Sequence, residues 1–328
     1  MRFPFVIALP VLALMVVGCR SRRPQAPGWV LGAPAKCTIG LSGETGWLLE
    51  QPQFQDVLAK FPLAEQSLDL FLKKARVNPH GETGRVSLFT MDLGLEADGR
   101  KLSAQVPTFL LQFQGFRDPS ALQKAIAESF PVEGSLRVQG SDLPLHVVMD
   151  MNQYHIRILT DLEGNVWLGD LSSLAGLDHR DRLAAQGPVL GAIARIDRNA
   201  PLQGFLRPEG MLKDLSGHLS ADVVRELPQG IQCLAWSINP SKDASPMFTF
   251  EIAISGTPQA IVQSTPWLQR IVAIATSIRT GNAAPPDLLQ ERTRATLRCQ
   301  LSWDQVGTVL SKLAQPNLMP KPGKQPAR

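Results

Sequence analysis

The sequence predicts an α+β fold built from two tandem β-α-β-β-α-β repeats with antiparallel sheets, the first repeat carrying extra hairpin strands. Three observations lead there. Two strand-to-helix junctions match: the apolar run Phe109-Leu110-Leu111-Gln112-Phe113 leads to Asp118-Pro119, and the run at 248–254 (FTFEIAI) leads to Thr257-Pro258. An Asp or Thr there caps free helix N–H groups, and Pro at the first helical position gives up an N–H that has no partner anyway. Each junction is preceded by a second strand, at 85–93 (RVSLFTMDL) and 230–238 (GIQCLAWSI), through polar loops at 96–105 and 239–246. Apolar residues then recur at helical spacing on both sides of these hairpins.

Read in order, the first repeat opens with a short apolar run at 37–41, then a helix stripe on Leu68, Phe71, Leu72 and Ala75. The hairpin and the Pro-started helix (Leu122, Ala125, Ile126, Ser129) follow. Strands at 136–139, 145–151, 154–160 and 166–170 complete it, with turns at Asn152-Gln153 and Glu163-Gly164-Asn165. The second repeat has a strand at 202–206, a helix or helix pair across 211–227, its hairpin, and a helix striped by Leu268, Ile271, Val272, Ala275 and Ile278. A strand at 295–302 follows. Ser302 and Gln305 form a capping box for a last helix striped by Val306, Val309, Leu310 and Leu313. This order of elements is the ferredoxin-like arrangement. In it the second and fourth strands lie at opposite sheet edges, so Cys233 and Cys299 are expected beyond the ~7 Å Cα limit for a disulfide.

The ends of the chain differ from the body. Arg2 begins a positive segment, residues 3–17 are almost wholly apolar, and Gly18-Cys19 follows. The apolar run is too short for a spanning helix, which needs ~20 residues, and fits a signal sequence. Val16-Val17-Gly18-Cys19 resembles the lipobox of bacterial lipoproteins. That resemblance covers residues 1–19 only. It implies that the Cys19 thiol takes a diacylglyceryl group as a thioether, that the chain is cut before Cys19, and that two or three acyl chains hold it on a bilayer. It also implies a place in the cell envelope. The absence of Asp after the cysteine favours the outer membrane where one exists. The expected organisation is therefore a signal peptide (1–18), a lipidated Pro-rich linker (19–36), a first repeat (37–184), a second repeat (185–314) and a disordered basic tail (315–328).

The 328 residues carry 33 Lys+Arg against 29 Asp+Glu, a net charge of +4. Where that charge sits decides what it means. The leader holds Arg2, the linker Arg20, Arg22, Arg23 and Lys36, and the tail Lys321, Lys324 and Arg328, with no acidic residue in these segments. The body at 37–314 is thus net −4. A nucleic-acid surface is not expected. Basic residues beside the anchor suit anionic headgroups, at about 1 kcal/mol each.

No phosphate-binding glycine loop, nucleophile elbow, zinc or calcium motif is present. No cofactor and no metal are expected. The densest polar group is in the first repeat, where Asp150, His155, Asp161 and Asp170 are candidates for a ligand or cation site at the strand ends. The same Asp residues also suit hairpin turns. Five tryptophans, Trp47, Trp167, Trp236, Trp267 and Trp303, are expected mainly in the core, with some able to line an apolar groove. The function expected is a non-enzymatic binding or scaffolding role at the envelope, with the bilayer and envelope proteins as partners. The alternative is a carrier of an apolar ligand, such as lipid, between helices and sheet.

Overall fold

A computed structural model describes residues 28–52, 84–178, 187–208 and 230–313, apart from positions 32, 35, 92–94, 99–100, 105–108, 116–117, 152–153, 241–246 and 281–282. Cys19, the basic tail, the stripe on Leu68, Phe71, Leu72 and Ala75, and the helix expected across 211–227 lie outside the described residues.

The first half holds α1 (Gly28–Leu31), β1 (Ile39–Glu44), α2 (Thr45–Glu50), β2 (Arg85–Thr90), β3 (Leu95–Asp98), β4 (Lys101–Ala104), β5 (Phe109–Gln114) and α3 (Pro119–Ser129). Then come β6 (Val132–Val138), β7 (Ser141–Met151), β8 (Tyr154–Thr160), β9 (Val166–Gly169) and α4 (Leu171–Ala175), followed by a 3₁₀ turn (Gly176–Asp178). The second half holds α5 (Gly187–Ile193), β10 (Leu202–Leu206), β11 (Ile231–Pro240), β12 (Phe248–Gly256), α6 (Pro258–Ser277), β13 (Asp287–Glu291), β14 (Arg294–Leu301) and α7 (Trp303–Leu313).

These strands do not form two ferredoxin-like sheets. Twelve of them form one antiparallel sheet in the order β13-β14-β12-β11-β10-β1-β2-β5-β9-β8-β7-β6, and β3 and β4 form a separate hairpin. In a ferredoxin-like repeat the strands flanking the first helix run parallel with another strand between them. Here β1 and β2 are antiparallel neighbours, and so are β10 and β11. Each half starts in chain order, β1-β2-β5 and β10-β11-β12, and ends with strands in reverse order, β9-β8-β7-β6 and β14-β13; the first strands of the two halves, β1 and β10, pair with each other. Helical spacing and strand patterning place the elements along the chain. They carry no information on strand direction or neighbour, which is where the expectation failed.

The local signals took the form their chemistry demands. Asp118 accepts from the Ala121 N–H at 2.9 Å, and Thr257 accepts from the Ala260 N–H at 3.2 Å, with Pro next in each helix. Gln305 accepts from the Ser302 N–H at 2.8 Å, while the Gln305 N–H donates to Ser302 Oγ at 3.3 Å, closing the capping box. The β6–β7 turn, Gln139-Gly140, has positive φ at both positions (53° and 82°), as a two-residue hairpin of this twist requires.

Helices cover both faces of the sheet. On one face α3 packs Leu122, Ala125 and Ile126 against Ile158 and Val166, and α6 and α7 pack Ile261, Leu268, Ile271 and Val309 against Ile254, Ala295, Leu297, Cys299 and Leu301. The other face carries α1, α4 and α5, whose Trp29, Leu174, Val189 and Ile193 lie on Phe89, Leu110, Leu159, Trp167, Phe205 and Ala235. Trp29 sits at its centre, stacked between Phe89 (6.0 Å) and Phe205 (5.8 Å). The segment to residue 36 was expected as an extended linker, yet Trp29, Val30 and Ala33 are buried in this core. Among the described residues no helix is long and apolar enough to cross a membrane.

The three described cysteines are buried and unpaired with one another. Cys233 belongs to the core under α5 and Cys299 to the core under α6, on opposite faces. β12 lies between their strands, and their partners on it, Ser255 and Phe250, are five residues apart. The cysteines are therefore separated both across the sheet and along the strands, beyond disulfide reach.

Two glycines at the junction of the halves admit large rings. A Cβ on Gly40 of β1 would collide with the ring of Phe205, and one on Gly204 of β10 would collide with the indole of Trp236. We expect Gly40→Ala to destabilise the protein by about 1–3 kcal/mol, as overpacking of a closed core does. The check is a urea unfolding midpoint; an unchanged midpoint contradicts the account.

Candidate functional site

On the face that carries α1, α4 and α5, one position per strand is polar where an apolar residue is normal. Gln112 on β5 lies directly opposite Ser87 on β2, which is opposite Ser42 on β1. Ser42 is in turn opposite Gln203 on β10, then Ser237 on β11, Glu251 on β12 and Arg298 on β14. Seven adjacent strands thus contribute one straight row of polar side chains, and all but Arg298 are buried.

Burying polar groups is costly unless they are paired, and along most of the row they are. Ser87 donates its hydroxyl to Ser42 Oγ at 2.9 Å, and Arg85 Nε also reaches Ser42 Oγ at 3.4 Å. Trp29 Nε1 donates to Gln203 Oε1 at 2.8 Å, while Gln203 Nε2 donates to the carbonyls of Arg198 (2.6 Å) and Ala200 (2.9 Å). Glu251 is satisfied on both oxygens. Oε2 accepts from Ser237 Oγ (2.9 Å) and the Asp197 N–H (2.6 Å), and Oε1 accepts from Arg298 Nε (2.7 Å) and Nη2. At the other end Gln112 is 2 % exposed, and its Oε1 has no hydrogen-bond partner.

Each end of the row opens into a cleft. At the Glu251–Arg298 end the cleft has a volume near 440 Å³ and includes Asp197, Asn239, Thr249 and Gln300. There Glu251 and Arg298 offset one another, while the Asp197 carboxylate accepts from two neutral donors, Asn239 Nδ2 at 3.0 Å and the Asn199 N–H at 2.9 Å. At the Gln112 end the cleft is near 270 Å³ and includes Gln114, Asp161, Glu163, Asn165 and Trp167. Both linings mix amides and carboxylates with apolar residues, such as Val138, Trp167 and Leu177 at one end and Pro240, Ala284 and Pro285 at the other.

The four residues expected to share a site fall into three separate local arrangements. Asp150 on β7 and His155 on β8 are directly opposite one another, and His155 Nδ1 bonds Asp150 Oδ1. Arg157 completes this group by pairing with Glu133 through Nε–Oε2 (2.5 Å) and Nη2–Oε1 (3.1 Å), and by reaching Asp150 Oδ2 at 3.5 Å. The bond from His155, with the nearby Arg157 guanidinium, holds the Asp150 carboxyl below its ordinary range. Asp161 organises the β8–β9 turn: Oδ1 accepts the N–H groups of Glu163 and Asn165, and Oδ2 accepts Asn165 Nδ2 and Trp167 Nε1. Asp170 caps α4, accepting the Ser173 N–H at 2.9 Å and two serine hydroxyls, and these bonds hold its carboxyl low against the opposing effect of burial. Among the described residues no group of three His, Cys, Asp or Glu side chains could hold a metal ion. Burial pushes the thiols of Cys37 and Cys233 up to about 12 and that of Cys299 to about 11, so none is a thiolate at neutral pH.

The row was not recognised from the sequence. Each member is a single polar letter inside an apolar strand, as in FLLQFQ or FTFEIAISG. That recurrence was the available signal, but only pairing register brings the letters into line.

Gln203→Leu would strand the Trp29 N–H and two loop carbonyls, and we expect a loss of about 1–3 kcal/mol or more in urea unfolding. For Asp150, whose folded value is depressed, the stabilisation is present above the unfolded value of ~3.9 and disappears as pH falls through the folded one. NMR titration of the Asp150 carboxyl should therefore give a midpoint below ~3.9 that rises in His155→Ala; identical midpoints in both proteins contradict the pairing. Set beside known proteins, the chain matches no protein-family model, no curated protein and no solved structure.

Proposed function

We propose that this chain is a lipid-anchored protein of the bacterial cell envelope that binds a ligand or partner without catalysing a reaction. The observation that carries the reading is the order at the N-terminus: Arg2, the apolar run at 3–17, then Gly18-Cys19. Acylated Cys19 would hold the chain on the bilayer, with Arg20, Arg22 and Arg23 beside the headgroups. The outer membrane is favoured where there is one, because Arg rather than Asp follows the cysteine.

The binding role draws support from the body. Its carboxylates of interest are engaged in caps, turns and ion pairs, and its described thiols are buried. Among the described residues, two clefts flank the polar row. The carboxylates and amides set among apolar residues in each, Asp161, Glu163 and Gln112 in one and Asp197, Glu251 and Gln300 in the other, suit a polar ligand better than a lipid chain, so we place the apolar carrier second.

Replacing Cys19 by Ser should move the protein from the membrane fraction to the soluble fraction, and should abolish metabolic labelling by a palmitate analogue. Membrane association that survives the substitution contradicts the anchor.

A further inference from the structure

We propose that the cleft at Gln112 is a binding site for a small protonated amine, a ligand of the short alkyl-diamine class. The inference concerns the body alone and stands whether or not Cys19 is acylated.

The first argument is the unpaired acceptor. The rest of the row is hydrogen-bonded, so the fold is able to satisfy polar groups at this depth. Gln112 Oε1 is the exception, and it lines a cleft near 270 Å³. A buried carbonyl without a donor is costly, and a ligand N–H would remove that cost.

The second argument is charge. Asp161 and Glu163 line the same cleft, and among its described lining residues there is no Lys, Arg or His. The four donors bound to Asp161 are all uncharged: two backbone amides, an Asn amide and an indole. Its negative charge is held in place by dipoles, with no cation among the described lining residues to offset it. The cleft therefore favours a positive ligand.

The third argument separates an organic cation from a metal. A metal needs free carboxylate lone pairs, and those of Asp161 already face N–H groups. An ammonium needs acceptors, which Gln112 Oε1 and the Glu163 carboxylate supply from one lining. The volume lies just under the range of drug-sized pockets, which fits a ligand of a few heavy atoms.

Isothermal titration of the purified full-length chain with 1,4-diaminobutane, 1,4-butanediol and succinate tests this. The expected result is saturable binding of the diamine alone, weakened about tenfold or more in both Gln112→Leu and Glu163→Gln. The unfolding midpoint of Gln112→Leu should stay level or rise, because the substitution removes an unpaired acceptor and leaves none behind. Glu163→Gln alters an exposed turn residue and keeps the test open if Gln112→Leu folds poorly. No measurable binding of the diamine, equal binding of the diol, or unchanged affinity in Glu163→Gln overturns the proposal.

Discussion

The pairing of β1 with β10 is the contact on which the rest of the molecule depends. It joins two runs of strands into one sheet and removes an exposed edge from each. The pairing works because β1 and β10 carry glycine where neighbouring rings must lie over the backbone. Gly40 leaves room for Phe205, and Gly204 leaves room for Trp236. The space so created on one face is filled by the Phe89–Trp29–Phe205 stack. A residue close to the chain's start thus closes the seam between strands far apart in sequence.

Beside that stack, two residues along the same strands, runs the polar row. Its hydrogen bonds contribute little net stability, about 0.5–1.5 kcal/mol each, because the unfolded chain makes equivalent bonds to water. Their larger effect is on specificity. A slip of one residue in any of these strands would turn its polar member to the opposite apolar face and leave partners on both sides unpaired. The row therefore penalises wrong registers across seven strands. It also explains the location of the clefts. The row terminates on one side in a closed ion pair, Glu251–Arg298, and on the other in the open acceptor of Gln112.

Much of the local structure was readable in advance. The caps at Asp118 and Thr257, the box at Ser302 and Gln305, and the strands around 85–90, 109–114, 154–160, 231–240 and 248–256 follow from side chains acting on their near neighbours. Asp161 and Asp170 behave as turn and cap residues for the same reason. Trp29 was passed over because the prolines around it signal an extended chain, and nothing local shows that a ring stack awaits it across the sheet.

The sequence by itself determined the type and position of these elements, the basic ends around a mildly acidic body, and the lipobox-like start. Those properties are set by residues within a few positions of one another. Only the tertiary structure decided that β1 pairs with β2 and β10, that a single sheet forms, and that seven scattered polar letters become one row. Strand order and register arise from contacts between residues tens to hundreds of positions apart. Such contacts leave no periodic trace in the chain.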